Sequence, residues 1–373
     1  MESTRERVHA LDGLRALAVA LVFAHHVVGA QLARSLGDGG HAVAARFANS
    51  LGSSGVELFF CLSGVVLLRP YLKFGRTMDV RRYLWRRVVR LYPPFLGAWV
   101  LAGLTVWFVG HYATWWTATS QMPRFDALGL LAEVGLGIGS NTSYNWAWWS
   151  LAPEVLFYSL VPVLVFGMQR TREPGRSASF VLVACAILSL AAFAAEPRAG
   201  HERLVWMLAQ YAVCFAVGTL LASRPLETWE RRGSLLAAVL LFAGAALSER
   251  VNLHAAYALL FLVLVDSCLR PGSAVAGRFG RHSLVWLGER SYSIFLIHFS
   301  AIELSCLLAS TVFDKGAGYV LVSRALSVVA TLVLACLLFE FVERRFATGL
   351  TTGNQPFPWS LQRRLQAGPG YPL

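Results

Sequence analysis

Long apolar runs alternate with short, polar and mostly basic segments along most of the chain. Apolar runs of about 17–25 residues are long enough to cross a bilayer as helices. Runs near that length occur at 11–30, 52–72, 88–110, 147–168, 178–195, 204–223, 234–248, 253–269, 283–309 and 319–342. The two short runs at 234–248 and 253–269 predict a tight helical hairpin. The pattern therefore predicts an all-α, polytopic membrane bundle of about ten transmembrane helices.

Composition supports the same class. Of the 373 residues, 56% are hydrophobic and 14% are charged, and the mean hydropathy is +0.54, well beyond a soluble protein. Residues 1–346 are predicted to form the transmembrane domain, and the Gly- and Pro-containing segment 347–373 is predicted to be a disordered cytoplasmic tail. An apolar stretch at 127–139 is too short to span and is expected at the outer surface or dipping into the bundle. The six cysteines lie in apolar runs without paired spacing, which indicates neither a disulfide framework nor a metal site.

The net charge of +12 is explained by topology. On the predicted span map, 23 of the 33 basic residues fall in the segments on one side of the membrane and seven on the other. An excess of Lys and Arg marks cytoplasmic loops. Both termini are therefore predicted to be cytoplasmic, in the cell (inner) membrane, and the charge requires no nucleic-acid partner.

The first run carries an arginine and two histidines at membrane depth. Arg15 and His26 lie eleven residues apart, within about 20° of each other on one helix face, whereas His25 points roughly 80° away. Titratable groups in a membrane helix usually face the protein interior or a wet cavity. Arg15 could alternatively snorkel to the interface, but His26 lies too deep for that.

Two glutamates are expected near the depth of His26. Glu57 lies near the outer end of the second run, and Glu154 opens the fourth run from the same side. A carboxylate beside His26 would fix its tautomer and support a general base. The alternative for Glu57 is an isolated interfacial carboxylate.

Further candidates lie in a basic segment and in a late span. Arg87 and Arg90 are neighbours on one helix face and suit phosphate, although anionic lipid headgroups compete as ligands. Ser291 and His298, seven residues apart, form a polar stripe, and His298 could equally be structural. The tryptophans around Trp149 could form only an interfacial aromatic belt.

Five ordered motifs resemble the integral-membrane acyltransferase 3 family. They are LDGLRALAVALVFAHH, GVELFFCLSG, RRVVRLYPP, WSLAPEVLFY and LGERSYSIFLIH, and the resemblance extends to about residue 346. The opening motif, an arginine followed by ten residues and a histidine, selects Arg15 and His26 over His25. The fourth-span motif is interrupted by Pro153, and Glu57 stands where Asp is common. We expect no extracytoplasmic hydrolase-like domain of the kind that some members carry.

The resemblance implies an O-acyltransferase that uses acyl-coenzyme A as donor, without a permanently bound cofactor or metal. The acceptor would be a hydroxyl of a sugar, a polysaccharide or a secondary metabolite. The implied roles are catalysis for His26, Glu57, Glu154 and Arg15, donor binding for Arg87, Arg90 and Tyr92, and substrate binding for Trp149, Ser150, Ser291 and His298. The absence of a GxSxG motif favours direct transfer over an acyl-enzyme. A transporter or flippase with buried charges along a solute or proton path is the alternative from another class.

Overall fold

The computed structural model describes residues 8–112, 145–194, 202–248, 253–314 and 316–349. Within these ranges the chain forms helices and no strand, which confirms the predicted helical membrane bundle. The main helices are α1 (His9–Ala24), α2 (Ala30–Asp38), α3 (Ala42–Leu72), α4 (Val80–Tyr112), α5 (Leu151–Gln169), α6 (Pro174–Ala194), α7 (Glu202–Ser223), α8 (Thr228–Leu247), α9 (Leu253–Leu269), α10 (Ala274–Phe279), α11 (His282–Glu289), α12 (Ser291–Ser310), α13 (Ala317–Leu338) and α14 (Arg344–Gly349). The predicted surface stretch 127–139 and the tail beyond 349 lie outside the described residues.

Seven of the described helices are long and apolar enough to cross a membrane. Two shorter apolar helices, 209–223 and 253–269, accompany them, so the total of about ten spans stays a prediction. α8 and α9 pack against each other, as expected of the predicted hairpin. The chain is therefore a multi-pass membrane protein, and its orientation stays a prediction.

The prediction of one continuous helix for the ninth span is wrong. In place of one helix over 283–309, α11 ends at Glu289 and α12 begins at Ser291, with Arg290 between them at φ −96° and ψ 0°. The guanidinium of Arg290 donates to Glu340 at 3.0 Å and lies over the rings of Trp286 and Phe339. An apolar run shows that a segment can be buried, but it does not show a break that a buried polar side chain stabilises.

π-helical turns interrupt two helices. The first, His25–Gly29, joins α1 to α2, and the second, Phe339–Glu343, joins α13 to α14. Turns of this kind occur mostly as single bulges in α-helices and frequently lie at functional sites. Both segments carry titratable side chains. The π-helical turns themselves were not predicted, because the sequence analysis assumed a uniform period of 3.6 residues.

α3 lies at the centre of the bundle and packs against α1, α5, α7 and α9. Small residues make this packing close. A Cβ atom added at Gly218 on α7 would lie 2.2 Å from the carbonyl oxygen of Cys61, and one added at Gly64 would lie 2.8 Å from the Cα of Gly218. Close backbone approach through small residues is a main mode of helix association in membranes. α6 and α13 bury much less of their surface and form the outside of the bundle.

Cysteine labelling tests the orientation. His41, between α2 and α3, and Arg76, between α3 and α4, are both exposed and lie at opposite ends of α3. We expect His41→Cys to react with an impermeant thiol reagent in intact cells and Arg76→Cys to react only after the membrane is opened, because the basic segments are cytoplasmic. Wild-type protein, whose six cysteines lie within the helices, gives the baseline. The reverse labelling pattern would invert the topology.

Candidate active site

An interior cavity lies where α1, α3, α4, α5 and α12 meet. The space between its lining residues, part of it open to solvent, is about 820 Å³. Six residues selected from the sequence line it: Arg15, Arg87, Arg90, Ser150, Glu154 and Ser291. The cavity therefore joins five helices that are far apart in the sequence.

Three arginines make this cavity positive. Arg87 places its guanidinium over the rings of Tyr83 and Tyr158, 5.4 and 5.9 Å from their centroids. Its Nε atom has no hydrogen-bond partner among the described residues. Arg15 forms a 3.4 Å ion pair with the buried carboxylate of Asp12, one helical turn before it. Because Arg15 lines an interior cavity, the structure does not show it snorkelling to the interface.

A buried carboxylate lies close to these arginines. Glu343, in the second π-helical turn, accepts a 2.7 Å hydrogen bond from Ser293 Oγ, and the charges of Arg90 and Arg15 act on it. The sequence analysis did not select Glu343, although two glutamates in the apolar segment FEFVE were a usable signal. When ionised, this carboxylate offsets part of the positive charge of Arg90 and Arg15.

The Glu154 carboxylate forms its hydrogen bonds with other cavity-lining residues and not with the histidines. The hydroxyl of Tyr158, one turn further along α5, donates a short hydrogen bond to Glu154, and Ser63 Oγ donates another at 3.3 Å. The expected proximity of Glu154 to His26 is not found in these contacts. Glu154 is instead coupled to the arginines through Tyr158, which lies between its carboxylate and Arg87.

His26 pairs with another histidine. Its ring centroid lies 5.2 Å from that of His298 on α12 and 5.1 Å from that of His25. His298 Nδ1 is 2.8 Å from the carbonyl oxygen of Phe295, a geometry in which Nδ1–H donates. Its Nε2 is then an acceptor, and this buried atom has no partner among the described residues. The two histidines that the sequence analysis selected are thus brought together.

The histidine pair lies next to a residue that lines the cavity. Phe59 and Phe295 both line the cavity, with their ring centroids 6.3 Å apart, and His298 follows Phe295 by one turn of α12. Neither His26 nor His298 belongs to the described lining. We call Phe59 and Phe295 the phenylalanine pair; both line the cavity, and the ring centroid of Phe295 lies 6.1 Å from that of His298.

The expected pairing of Glu57 with His26 is wrong. Glu57 is buried, and its Oε1 lies 2.5 Å from Nδ1 of His254 on α9. His25 packs against Gly52, and Glu57 lies five residues further along α3, or about 140° around the helix. Glu57 therefore faces away from the histidine pair. His254 was missed by the sequence analysis, although a histidine in the first turn of a short apolar run was a usable signal.

The remaining candidates lie in different places. The ring of Trp149 packs against Tyr211 at 5.4 Å, while the adjacent Ser150 lines the cavity. Tyr92 packs edge-on against Phe95 and is not among the cavity-lining residues, so its contact with a donor stays a prediction. Tyr292 lines the cavity instead, and its hydroxyl donates to the carbonyl of Leu91 at 2.9 Å.

Comparison with known proteins gives a consistent match. The acyltransferase 3 family model, described as an acyltransferase domain, matches residues 8–341. The chain is 25% identical to the "Putative peptidoglycan O-acetyltransferase YrhL" of Bacillus subtilis, over 91% of this chain and 54% of that protein. It is 23% identical to the "Peptidoglycan O-acetyltransferase OatA" of Listeria monocytogenes, over 91% of this chain and 56% of that protein. The chain thus spans about half the length of these curated relatives, and no solved structure matches it.

Proposed function

The chain belongs to the integral-membrane acyltransferase 3 family, and from this premise we propose that it transfers an acyl group from acyl-coenzyme A to a hydroxyl of a carbohydrate or another hydroxylated acceptor. The observation that carries the proposal is the cavity lined by Arg15, Arg87 and Arg90, whose lining residue Phe295 packs against His298 of the His26–His298 pair. A cationic cavity suits a polyphosphate donor, and an adjacent imidazole suits proton removal from a hydroxyl.

The arginines hold the donor at a distance from the reaction. Guanidinium groups match phosphoryl oxygens with planar, paired donors, so Arg87 and Arg90 bind the phosphates of coenzyme A. The pantetheine arm then extends along the cavity past Ser63 and Ser291 towards the phenylalanine pair. This arrangement brings the thioester to the histidines while the nucleotide stays at the basic end of α4.

His26 is the general base in this mechanism. It takes the proton of the acceptor hydroxyl as the oxygen attacks the thioester carbonyl, and the C–S bond breaks to release the thiolate of coenzyme A. The imidazolium of His26 then returns the proton to that thiolate. His298, whose Nδ1–H donates to the carbonyl of Phe295, packs against His26 with 5.2 Å between the ring centroids and restricts the orientation of that ring. Glu57 and Glu154 contact neither ring in the structure and take no direct part.

The activity is tested by following the donor. Full-length protein in lipid vesicles is incubated with radiolabelled acetyl-coenzyme A, and thioester loss and labelled product are counted with and without a cell-wall glycan fraction as acceptor. The proposal expects thioester loss that is saturable in the donor. Movement of solute across the vesicle membrane without thioester loss would support a transporter instead.

The arginine pair is tested within the same assay. Arg87→Ala combined with Arg90→Ala is expected to raise KM for acetyl-coenzyme A by about 10–100-fold and to lower kcat less, because phosphate contacts remote from the carbonyl act mainly on binding. Arg81→Ala combined with Arg82→Ala is the matched control, since this exposed pair lies in the same basic segment but does not line the cavity. Equal effects from both pairs would assign the basic segment to anionic lipid.

A further inference from the structure

Tyr158 contacts both a carboxylate and an arginine in the wall of the cavity. It follows Glu154 by four residues on α5, so the two side chains share one face of that helix. Its hydroxyl donates to Oε1 of Glu154, which also accepts a 3.3 Å hydrogen bond from Ser63 Oγ. Its ring lies beneath the guanidinium of Arg87 on α4, 5.9 Å from the ring centroid. All four side chains line the cavity, so a ligand in the cavity can reach each of them.

Arg87 and Glu154 contact the same tyrosine, yet they form no ion pair with each other. Among the described residues, the Arg87 side chain has no hydrogen-bond or salt-bridge partner, and its contacts are the rings of Tyr83 and Tyr158. An aromatic ring attracts a cation through its electron-rich face and offers no oxygen acceptor. The N–H groups of Arg87 therefore stay available to an anion that enters the cavity.

Other arginines of this protein pair directly with a nearby carboxylate. Arg224 pairs with Glu230 at 2.5 Å and Arg270 pairs with Asp266 at 2.7 Å. A direct pair of this kind at Arg87 would occupy the planar, paired donors that match phosphoryl oxygens, and it would offset the positive charge. The separation of Arg87 from Glu154 thus preserves the properties that a phosphate site needs.

We propose that Tyr158 is a positioning residue that keeps Arg87 open for the phosphates of the donor. Its hydroxyl occupies the carboxylate of Glu154, and its ring holds the guanidinium of Arg87 away from that carboxylate. This inference rests on the proposed function, because it takes coenzyme A to be the anion bound at Arg87. Both charged groups contact one side chain, so they can approach each other when its ring is removed. Glu154 then becomes a competitor of the donor for Arg87.

A double-mutant cycle in donor binding tests this role. The probe is coenzyme A, titrated calorimetrically into the full chain in detergent. We expect Tyr158→Leu to raise the Kd for coenzyme A at least tenfold, which corresponds to about 1.4 kcal/mol. Adding Glu154→Gln to Tyr158→Leu removes the competing charge and is expected to bring the Kd back to within about threefold of wild type. Tyr158→Phe, which keeps the ring, is expected to stay within the same range.

Tyr257→Leu is the matched control. Tyr257, on α9, is buried, and its hydroxyl shares a 3.2 Å hydrogen bond with Ser50 Oγ, but it does not line the cavity. The substitution removes the same ring and hydroxyl group and is expected to leave the Kd for coenzyme A unchanged. Unfolded protein lowers the number of sites in the titration and not the Kd of the folded molecules, so a loss of stability alone does not imitate the expected result.

The outcomes separate this role from the proposed reaction. Unchanged binding by Tyr158→Leu, a double variant that binds as weakly as Tyr158→Leu, or wild type without saturable binding of coenzyme A overturns the positioning role. If Tyr158→Leu does not fold, Tyr158→Met, which fills the space without a ring, replaces it in the cycle. Thioester loss from acetyl-coenzyme A is measured on the same wild-type sample. Its absence, together with the expected binding pattern, contradicts the transfer reaction and still supports the role of Tyr158.

Discussion

Replacing His26 by alanine is expected to lower the rate of acyl transfer by about 10²–10⁴-fold, which is the usual contribution of a positioned general base. The effect should appear in kcat and not in KM for the donor, because the imidazole acts on the hydroxyl proton and does not contact the phosphates of the donor. The measurement is single-turnover transfer of radiolabelled acetyl from acetyl-coenzyme A in vesicles. A residual rate within about threefold of wild type would contradict the role of base.

His25→Ala is the matched control, since it removes the same side chain one position earlier. His25 packs against Gly52 of α3 and against the ring of His26. We expect the His25 variant to keep most of its activity, and equal losses from both substitutions would overturn the choice of His26. The pairing with His298 adds a second criterion. His298→Ala should also lower kcat, and the double variant His26→Ala with His298→Ala should have a kcat only a little below that of His26→Ala alone.

Replacing Gly218 by alanine is expected to destabilise the folded bundle, because the backbones of α7 and α3 approach closely at this position. The new Cβ would lie 2.2 Å from a backbone oxygen of α3 and 2.7 Å from the Cα of Gly64, so the two helix backbones must separate. Overpacking of this kind costs about 1–3 kcal/mol, and a rigid backbone partner places it at the upper end. The measurement is the midpoint of thermal unfolding in detergent, followed by size-exclusion chromatography.

Gly167→Ala is the matched control. It places the same methyl group on α5, another long apolar helix, but no atom lies within 4 Å of the added Cβ. Alanine also has a higher helix propensity than glycine, so this variant is expected to unfold at the wild-type temperature or slightly above it. Equal midpoints for the Gly218 and Gly167 variants would show that α3 and α7 pack less closely than described.

The sequence predicted the helices well because bilayer thickness and backbone hydrogen bonding leave few alternatives for a long apolar run. It also identified Arg15 and Glu154 as charges in apolar runs, and Arg87 and Arg90 as neighbours on one face of a basic segment. The fold gathers all four around one cavity. Their catalytic and binding roles stay predictions. The break at Arg290 was missed because it depends on contacts with Trp286, Phe339 and Glu340.

The predicted pairing of Glu57 with His26 is wrong for a geometrical reason. Depth in the membrane can be estimated from position along an apolar run, but the facing direction depends on how helices are rotated about their own axes. Glu57 and His26 were compared by depth alone. The partner of Glu57, His254, is separated from it by 197 residues and belongs to a helix whose rotation only the fold fixes.

The phenylalanine pair also bears on the proton permeability of the membrane. A bilayer that stores an ion gradient loses it wherever a continuous column of water crosses, since water and imidazole relay protons. Water that filled the cationic cavity would form part of such a column from one side, and the histidines would extend it. Phe59 and Phe295 line that cavity, and their two apolar rings, whose centroids are 6.3 Å apart, offer water no hydrogen-bond partner there. An acyl chain can displace apolar rings without bringing water with it, so an acyl group that passes this pair need not open a path for protons.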